Sequence, residues 1–305
     1  MSGDRILLGA AALPEPDREW LAAVERLPVD SVWQGGHLLP PTNTGEAITR
    51  LALMTAWTER VRVGSAILLL PLYHPVVVAK QLADLDARSG RRLTVGVGVG
   101  GEFPKEFEAV GVPIEERGAR TDEAIDLLRQ LWSGKPTSHR GTWDFDDVTM
   151  HAVGETDGPP IIVSGRKAPA MRRAAARGDG WLPYLFSPDA YARSVETISA
   201  HARSISRDLT GFEWCLYLYC SVRADGDHAR RDVRDFLGSA YGGMPDDKLA
   251  RIAPAGTPDE VAARIQQYVD AGARHIVLSP AAHDDTLGIV ELAATEVLPK
   301  LQLPA

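Results

Sequence analysis

The chain has 305 residues, of which 45% are hydrophobic and 24% charged, the composition of an ordinary globular protein. Its formal net charge of -8 argues against a surface that binds nucleic acid or an anionic membrane. We find no run near the roughly 18 apolar residues that a membrane span needs, and no secretion signal at the amino terminus. We therefore expect a cytoplasmic protein.

Cysteine usage points the same way. Cys215 and Cys220 lie five positions apart within one apolar run. On a strand, residues at that spacing face opposite sides and lie too far apart for a disulfide bond. Two unpaired thiols fit a reducing compartment.

Short apolar or β-branched runs alternate along the chain with stretches of helical periodicity. The runs that predict strands are residues 6–9, 31–33, 61–69, 93–97, 161–163, 181–183, 214–222 and 275–278.

The helical stretches between them carry start signals. Asn43 followed by Glu46 predicts an amino-terminal cap, and residues 116–132 carry one apolar stripe at helical spacing. Thr257 and Glu260, three positions apart, predict a capping box.

Eight β-then-α units favour a single domain, residues 1–305, built as an α/β (β/α)8 TIM barrel of parallel strands with insertions; a doubly wound sheet is the alternative. Two stretches depart from the pattern. Residues 135–160 predict an excursion, with a short hairpin, between the fourth helix and the fifth strand. Residues 241–256 predict a mobile loop over the barrel mouth.

A glycine cluster, residues 96–101, matches the dinucleotide fingerprint G-x-G-x-x-G. We reject that reading because two strand-helix units precede it and Pro104 stands where the helix should open. Two readings stay open: close passage of neighbouring backbones, or a planar ring lying against the backbone at the barrel mouth, beside Glu102.

A second junction, residues 163–168, combines a strand end, a hydroxyl at Ser164, the bases Arg166 and Lys167, and a predicted helix start. These groups suit an anion such as a coenzyme phosphate. The alternative is that Ser164 caps the helix and the bases are solvated.

His37 follows the second predicted strand and is a candidate for proton transfer, although a lone histidine is more often structural. Trp33, Trp181 and Tyr184 stand at strand ends, where they either wall a pocket or fill the barrel. We find no metal-ligand spacing and no nucleophile elbow, so no metal site is predicted.

Taken in order, these segments resemble the bacterial-luciferase-like superfamily of flavin- and deazaflavin-dependent oxidoreductases. The matching stretches are SVWQGGHLLP (31–40), VGSAILLLP (63–71), HP (74–75), GVGVGGEF (96–103), ERGARTDE (116–123), PIIVSG (160–165), GDGW (178–181) and GTPDEV (256–261).

The resemblance implies a barrel, usually dimeric, with a coenzyme ring at its carboxyl-terminal mouth. It also implies a non-proline cis peptide bond in the third strand, at Ala66–Ile67, backing the ring. The residues expected to bind coenzyme are Gly36, Ala66, Ile67, Gly98, Val99, Gly100, Ser164, Gly165, Arg166, Lys167 and Ala168.

The chain is most similar to the branch that uses coenzyme F-420 (F420), an 8-hydroxy-5-deazaflavin. The resemblance implies hydride transfer between this coenzyme and an organic, apolar substrate, with His37 and Glu102 as catalytic candidates. Where that branch often has an Asp-His pair, this chain has Gly36-His37, which leaves the proton-transfer roles open. The residues expected to line the substrate pocket are Trp33, Leu69, Trp181 and Tyr184.

Three rivals remain. The first is a monooxygenase using reduced FMN, the second a flavin- or deazaflavin-binding protein without turnover, and the third an unrelated barrel lyase or hydrolase. The expected partners are a small-molecule substrate, a second copy of the chain in a homodimer and, in one version, a separate coenzyme reductase.

Overall fold

The computed structural model describes residues 5–12, 17–40, 45–151 and 157–304. Within these ranges the strands are β1 Leu7–Ala11, β2 Ser31–Gln34, β3 Arg62–Ser65, β4 Leu68–Leu69, β5 Leu93–Gly98, β6 Thr137–His139, β7 Phe145–Val148, β8 Ile161–Ser164, β9 Gly180–Leu182, β10 Glu213–Val222, β11 Ala255–Gly256 and β12 His275–Pro280.

The helices alternate with the strands. They are α1 Arg18–Glu25, α2 Ala47–Trp57, α3 Pro75–Arg88, α4 Pro104–Ala109, α5 Arg117–Trp132, α6 Ala168–Arg177, α7 Pro188–Ser204, α8 Gly226–Tyr241, α9 Asp246–Ile252, α10 Pro258–Asp270 and α11 Thr286–Leu292. Short 3-10 helices span Leu70–Leu72, Ile114–Glu116 and Leu298–Lys300, and a π-helical turn spans Ala293–Val297.

The parallel strands close into a barrel in the order β1, β2, β3, β5, β8, β9, β10, β12 and back to β1. Strand β4 continues the third barrel strand beyond a break and pairs with β5. The predicted eight-stranded (β/α)8 barrel is confirmed, and each barrel strand lies within a few residues of its predicted range.

The hydrophobic core has two layers because alternate strand residues face opposite sides of the barrel wall. Along β8, Ile161 and Val163 belong to the main cluster between strands and helices, whereas Ile162 belongs to a smaller cluster with Trp33 and Val277. The smaller cluster fills the barrel interior with side chains, as expected for an eight-stranded barrel.

Local signals predicted helix starts well. Thr257 and Glu260 form the predicted capping box of α10. At α2 the cap is Glu46 itself, whose carboxylate accepts hydrogen bonds from the amides of Ile48 and Thr49. Asn43, the predicted cap, lies outside the described residues.

The two irregular stretches differ from each other. Between α5 and β8, strands β6 and β7 pair antiparallel and form the predicted hairpin, with residues 152–156 outside the description. The stretch 241–256, predicted as a loop, instead contains α9 and β11. Leu249 and Ile252 explain the helix, because both are buried in a cluster with Val233 and Leu237 of α8.

Among the described helices, none is both long enough and apolar enough to cross a bilayer.

Candidate active site

A cavity of about 550 Å³ opens at the carboxyl-terminal mouth of the barrel. This is the size of a small-molecule or cofactor site and the end of the barrel where such sites form. The residues that line it are His37, Pro40, Ala66, Ile67, Gly98, Val99, Gly100, Glu102, Phe103, Ser164, Gly165, Leu182, Tyr184, Tyr217, Tyr219, Ala240 and Tyr241.

One wall of the cavity is backbone. The Ala66–Ile67 peptide bond is cis, as the resemblance implied, and it separates β3 from β4. At Gly98 a Cβ atom would collide with the side chain of Ile67. A Cβ atom at Gly96 would collide with the backbone oxygen of Ser65, so neighbouring segments do pass closely at the glycine cluster.

His37 lies just after β2, with its ring edge-on to Phe103 at 4.8 Å between ring centroids. Its Nδ1 lies 3.1 and 3.2 Å from the two carboxylate oxygens of Glu106. Glu106 is fully buried, at 0% exposure. Sequence reasoning missed Glu106; its place in the first turn of a short helix directly after the glycine cluster was the available signal.

Glu102 and Tyr184 meet at the cavity rim. The Tyr184 hydroxyl donates to a Glu102 oxygen at 3.0 Å, and the Arg166 guanidinium lies 4.7 Å from the centroid of the Tyr184 ring. Arg166 is thus placed against Tyr184 and not among the residues that line the cavity.

Four tyrosines form the wall of the cavity on the β10 side: Tyr217 and Tyr219 from β10 itself, with Tyr184 and Tyr241 beside them. Burial, with the nearby Glu102 charge, raises the pKa of Tyr184 to about 12. Burial also raises the pKa of Tyr217 to about 12 and the pKa values of Tyr219 and Tyr241 above their ordinary value. All four phenols stay protonated at neutral pH, so these side chains are uncharged.

The junction predicted to bind phosphate, residues 163–168, joins the end of β8 to the start of α6 at the cavity. Ser164 and Gly165 line the cavity, and Gly165 has φ of 127°, a conformation that favours glycine. Lys167 stands at the cap position of α6, and Ala168 begins that helix. At the start of α6, Pro169 has no N–H and the Ala170 amide donates to the Lys167 carbonyl, so an anion there would rely on the Ala168 amide and the positive end of the helix dipole.

The structure corrects three predicted pocket residues. Trp33 is fully buried inside the barrel, where its indole donates to the Ser31 hydroxyl. Leu69, 3% exposed, lies beneath Gly100. Trp181 is fully buried beside Phe186 and holds the carbonyl of Gly165 through a 2.9 Å hydrogen bond. Each strand-end residue was assigned correctly to its strand and wrongly to the cavity wall.

Gly36 also lies off the cavity wall. A Cβ atom there would collide with the backbone of Ala47 at the start of α2. The close approach of α2 therefore leaves no room for an acidic side chain at this position, and any carboxylate for His37 must come from elsewhere in the fold.

One potential metal-ligand cluster occurs in the described ranges, at the opposite end of the barrel. Glu213, Cys215 and His275 bring their ligand atoms within 4.8 Å of one another. Arg62 donates to both Glu213 oxygens, at 2.7 and 3.0 Å, and also lies 3.1 Å from His275 Nδ1. The guanidinium already supplies the positive charge, so we interpret the cluster as a structural ion pair.

Comparisons with known proteins agree with this fold. The family model described as luciferase-like monooxygenase matches residues 8–275. An F420-dependent glucose-6-phosphate dehydrogenase of Beutenbergia cavernae is 32% identical, covering 91% of this chain and 90% of that protein. Uncharacterised mycobacterial proteins are 36% identical over 155 residues, and the chain spans about half their length.

Solved structures share the barrel closely. An F420-dependent secondary alcohol dehydrogenase, in complex with an F420-acetone adduct, superposes with a TM-score of 0.87 at 22% identity, covering 98% of this chain and 99% of that one. The monooxygenase RslO1 from Streptomyces bottropensis superposes with a TM-score of 0.83 at 26% identity, covering 96% and 99%. Since the family model matches well over half of the chain, the chain belongs to the luciferase-like monooxygenase family.

Proposed function

We propose that this protein is an F-420-dependent oxidoreductase that interconverts a neutral alcohol and its carbonyl partner. The observation that carries the proposal is the cavity itself, which places a backbone wall, an uncharged phenolic wall and a histidine around one space. The 32% identical relative, named as an F420-dependent dehydrogenase, supports the coenzyme.

The residues present fit a deazaflavin. The Ala66–Ile67 peptide and the backbone of Gly98 and Gly100 form part of one wall, and the Ile67 side chain over Gly98 gives a planar ring an apolar surface to lie against. Ser164, Gly165 and the start of α6 would hold the coenzyme phosphate, with Lys167 beside them. When bound, the coenzyme supplies two-electron hydride transfer.

The substrate is proposed to be neutral and not a phosphate ester. The described lining residues include one carboxylate, Glu102, and no lysine or arginine. A phosphate dianion placed beside Glu102 would be desolvated next to a like charge, and the guanidinium of Arg166 is stacked on Tyr184 at the rim and is not among the lining residues. Tyr217, Tyr219 and Leu182 instead offer apolar surface with hydroxyls at its edge, which suits an alcohol that carries an apolar group.

His37 is proposed to handle the proton of the substrate hydroxyl. Its ring lines the cavity, and its side chain is 26% exposed, so a hydroxyl bound there can reach it. The tyrosine wall orients the substrate, and Phe103 beside His37 excludes water from the proton-transfer site.

The test is an anaerobic assay with F-420 and a panel of alcohols, followed at 420 nm. We expect bleaching with neutral secondary alcohols and at least tenfold lower kcat/KM with glucose 6-phosphate. The matched variant is H37A, which should reduce turnover by about 10²–10⁴-fold without abolishing F-420 binding. F-420 binding without bleaching by any alcohol or ketone would contradict the proposed reaction.

A second candidate, a monooxygenase using reduced FMN, is favoured by the 26% identical monooxygenase RslO1. The two functions separate on oxygen. The FMN-dependent function requires oxygen consumption with reduced FMN and substrate. The F-420-dependent function requires turnover in the absence of oxygen.

A further inference from the structure

His37 has a carboxylate partner that comes from a remote segment. In sequence the residue before it is Gly36, where α2 leaves no space for a side chain. In space Glu106, 69 positions away, places both carboxylate oxygens within 3.2 Å of His37 Nδ1. Glu106 therefore supplies the carboxylate beside His37 from a remote segment.

Hydrogen bonds from the backbone hold the Glu106 carboxylate in place independently of the histidine. Its Oε1 accepts backbone N–H bonds from Leu38, at 2.6 Å, and from Leu39, at 3.1 Å. The side chain is wholly shielded from water. The same group thus holds the backbone that carries His37 and the ring of His37, so the ring has one favoured orientation.

This arrangement decides which nitrogen of His37 carries the proton. A carboxylate only accepts hydrogen bonds, so Nδ1 must be the N–H that donates to it. In the neutral ring Nε2 then bears the lone pair. Nε2 has no hydrogen-bond partner in the described part of the chain, and it belongs to a ring that lines the cavity.

We propose that Glu106 is the positioning residue of this site: it holds His37 in the Nδ1–H form and presents Nε2 to the substrate as a proton acceptor. This inference rests on the proposed role of His37 in proton transfer. An acid behind a histidine sets its tautomer and orientation in other enzymes, and losing it is costly although it touches no substrate.

The competing explanation is that Glu106 only anchors the backbone at Leu38 and Leu39. E106Q separates the two. Because two backbone donors hold Oε1, the amide oxygen should take its place, and the amide nitrogen should then face Nδ1 as a donor. An amide donor at the nearer position, 3.1 Å from Nδ1, favours the Nε2–H form of His37, with the shape and packing of the ring unchanged.

The first test needs neither coenzyme nor substrate. Side-chain ¹⁵N NMR reports the tautomer of each of the eight histidines in the free protein, and loss of one set of signals in H37A identifies His37. We expect Nδ1–H in the wild-type protein and Nε2–H in E106Q. Wild-type His37 in the Nε2–H form would overturn the proposal, even if E106Q failed to fold.

The second test is a double-mutant cycle with F-420 and the best neutral alcohol. We expect E106Q to lower kcat by about 10–100-fold, with KM and the Kd for F-420 changed less than about twofold. In the H37A background E106Q should then have less than a twofold further effect, because Glu106 acts through His37. Equal losses of kcat in both backgrounds would overturn the proposal.

Glu123 provides the matched control. Its carboxylate also contacts a histidine, His139 at 2.7 Å, and also accepts a backbone N–H, from Thr142, but in the β6–β7 hairpin region away from the cavity. E123Q should leave kcat unchanged; an equal loss of kcat in E123Q and E106Q would overturn the proposal. A wild-type protein that fails to bind F-420 would refute the proposed function, and the tautomer measurement would still decide the role of Glu106.

Discussion

Tyr184 donates its hydroxyl to Glu102 across 3.0 Å, and this bond joins the segment after the fourth barrel strand to the segment after the sixth. The fifth strand ends between them, at Ser164. The bond therefore spans the cavity rim beside the proposed phosphate site. The Tyr184 hydroxyl holds these two segments together at the rim.

Removing that hydroxyl tests the rim. Y184F keeps the ring under Arg166 and loses a hydrogen bond of about 1 kcal/mol. We expect KM for the neutral alcohol to rise about fivefold with kcat nearly unchanged. Steady-state kinetics measure this.

Y191F is the control for Y184F. The Tyr191 hydroxyl donates to the carbonyl of Cys215 in the core, away from the cavity. Its loss should lower the free energy of unfolding and leave KM unchanged. A similar rise of KM in both variants would contradict the role assigned to the rim.

The ion pair at the amino-terminal end of the barrel predicts an acid dependence of stability. Burial alone would raise the pKa of Glu213, but hydrogen bonds from His275 and Arg62 outweigh it and lower the pKa to about 2, from an ordinary 4.5. Because the folded-state pKa is depressed, the carboxylate stabilises the fold fully above pH 4.5 and loses this effect as pH falls towards 2.

E213Q should therefore lower the free energy of unfolding at pH 7 by about 3 kcal/mol. The difference from the wild-type protein should shrink between pH 4.5 and 2, where the wild-type carboxylate takes up its proton. Urea unfolding at pH 7 and at pH 3.5 measures both quantities. E115Q, which alters an exposed carboxylate, should differ little from wild type at either pH; a constant E213Q deficit across the range would refute the assignment.

Two glycines predict opposite effects of the same substitution. G36A should destabilise the fold by about 1–3 kcal/mol, because the new methyl group meets the backbone of α2. G238A should stabilise it by about 0.5–1 kcal/mol, since that position is inside α8 with nothing within 4 Å of the added methyl group. Thermal or urea unfolding measures the change in the free energy of unfolding for each variant. A stabilising G36A would contradict the close contact between Gly36 and α2.

The barrel was predictable from the sequence because its signals are local. Strand runs such as residues 275–278 and the capping box at Thr257 depend on neighbours within a few positions, and the structure confirms both. The loop predicted at 241–256 failed because α9 is stabilised by packing against Val233 and Leu237, a contact that no local pattern reveals.

The site was predictable only in part. Segments that reach the barrel mouth were found, but Trp33 is buried in the barrel interior and Trp181 in the main core cluster, and the local pattern shows neither the depth nor the face of a strand-end side chain. Glu106 was missed because its partner, His37, is 69 positions away. The homodimer and the separate reductase remain predictions from the resemblance.

The central claim is that the cavity holds a deazaflavin ring with its phosphate at the start of α6. The most direct measurement is a fluorescence titration of the free protein with F-420, with its phosphate-free deazaflavin core, and with FMN. We expect F-420 to bind at least tenfold more tightly than either of the others. Tight binding of FMN with no detectable binding of F-420 would contradict the account.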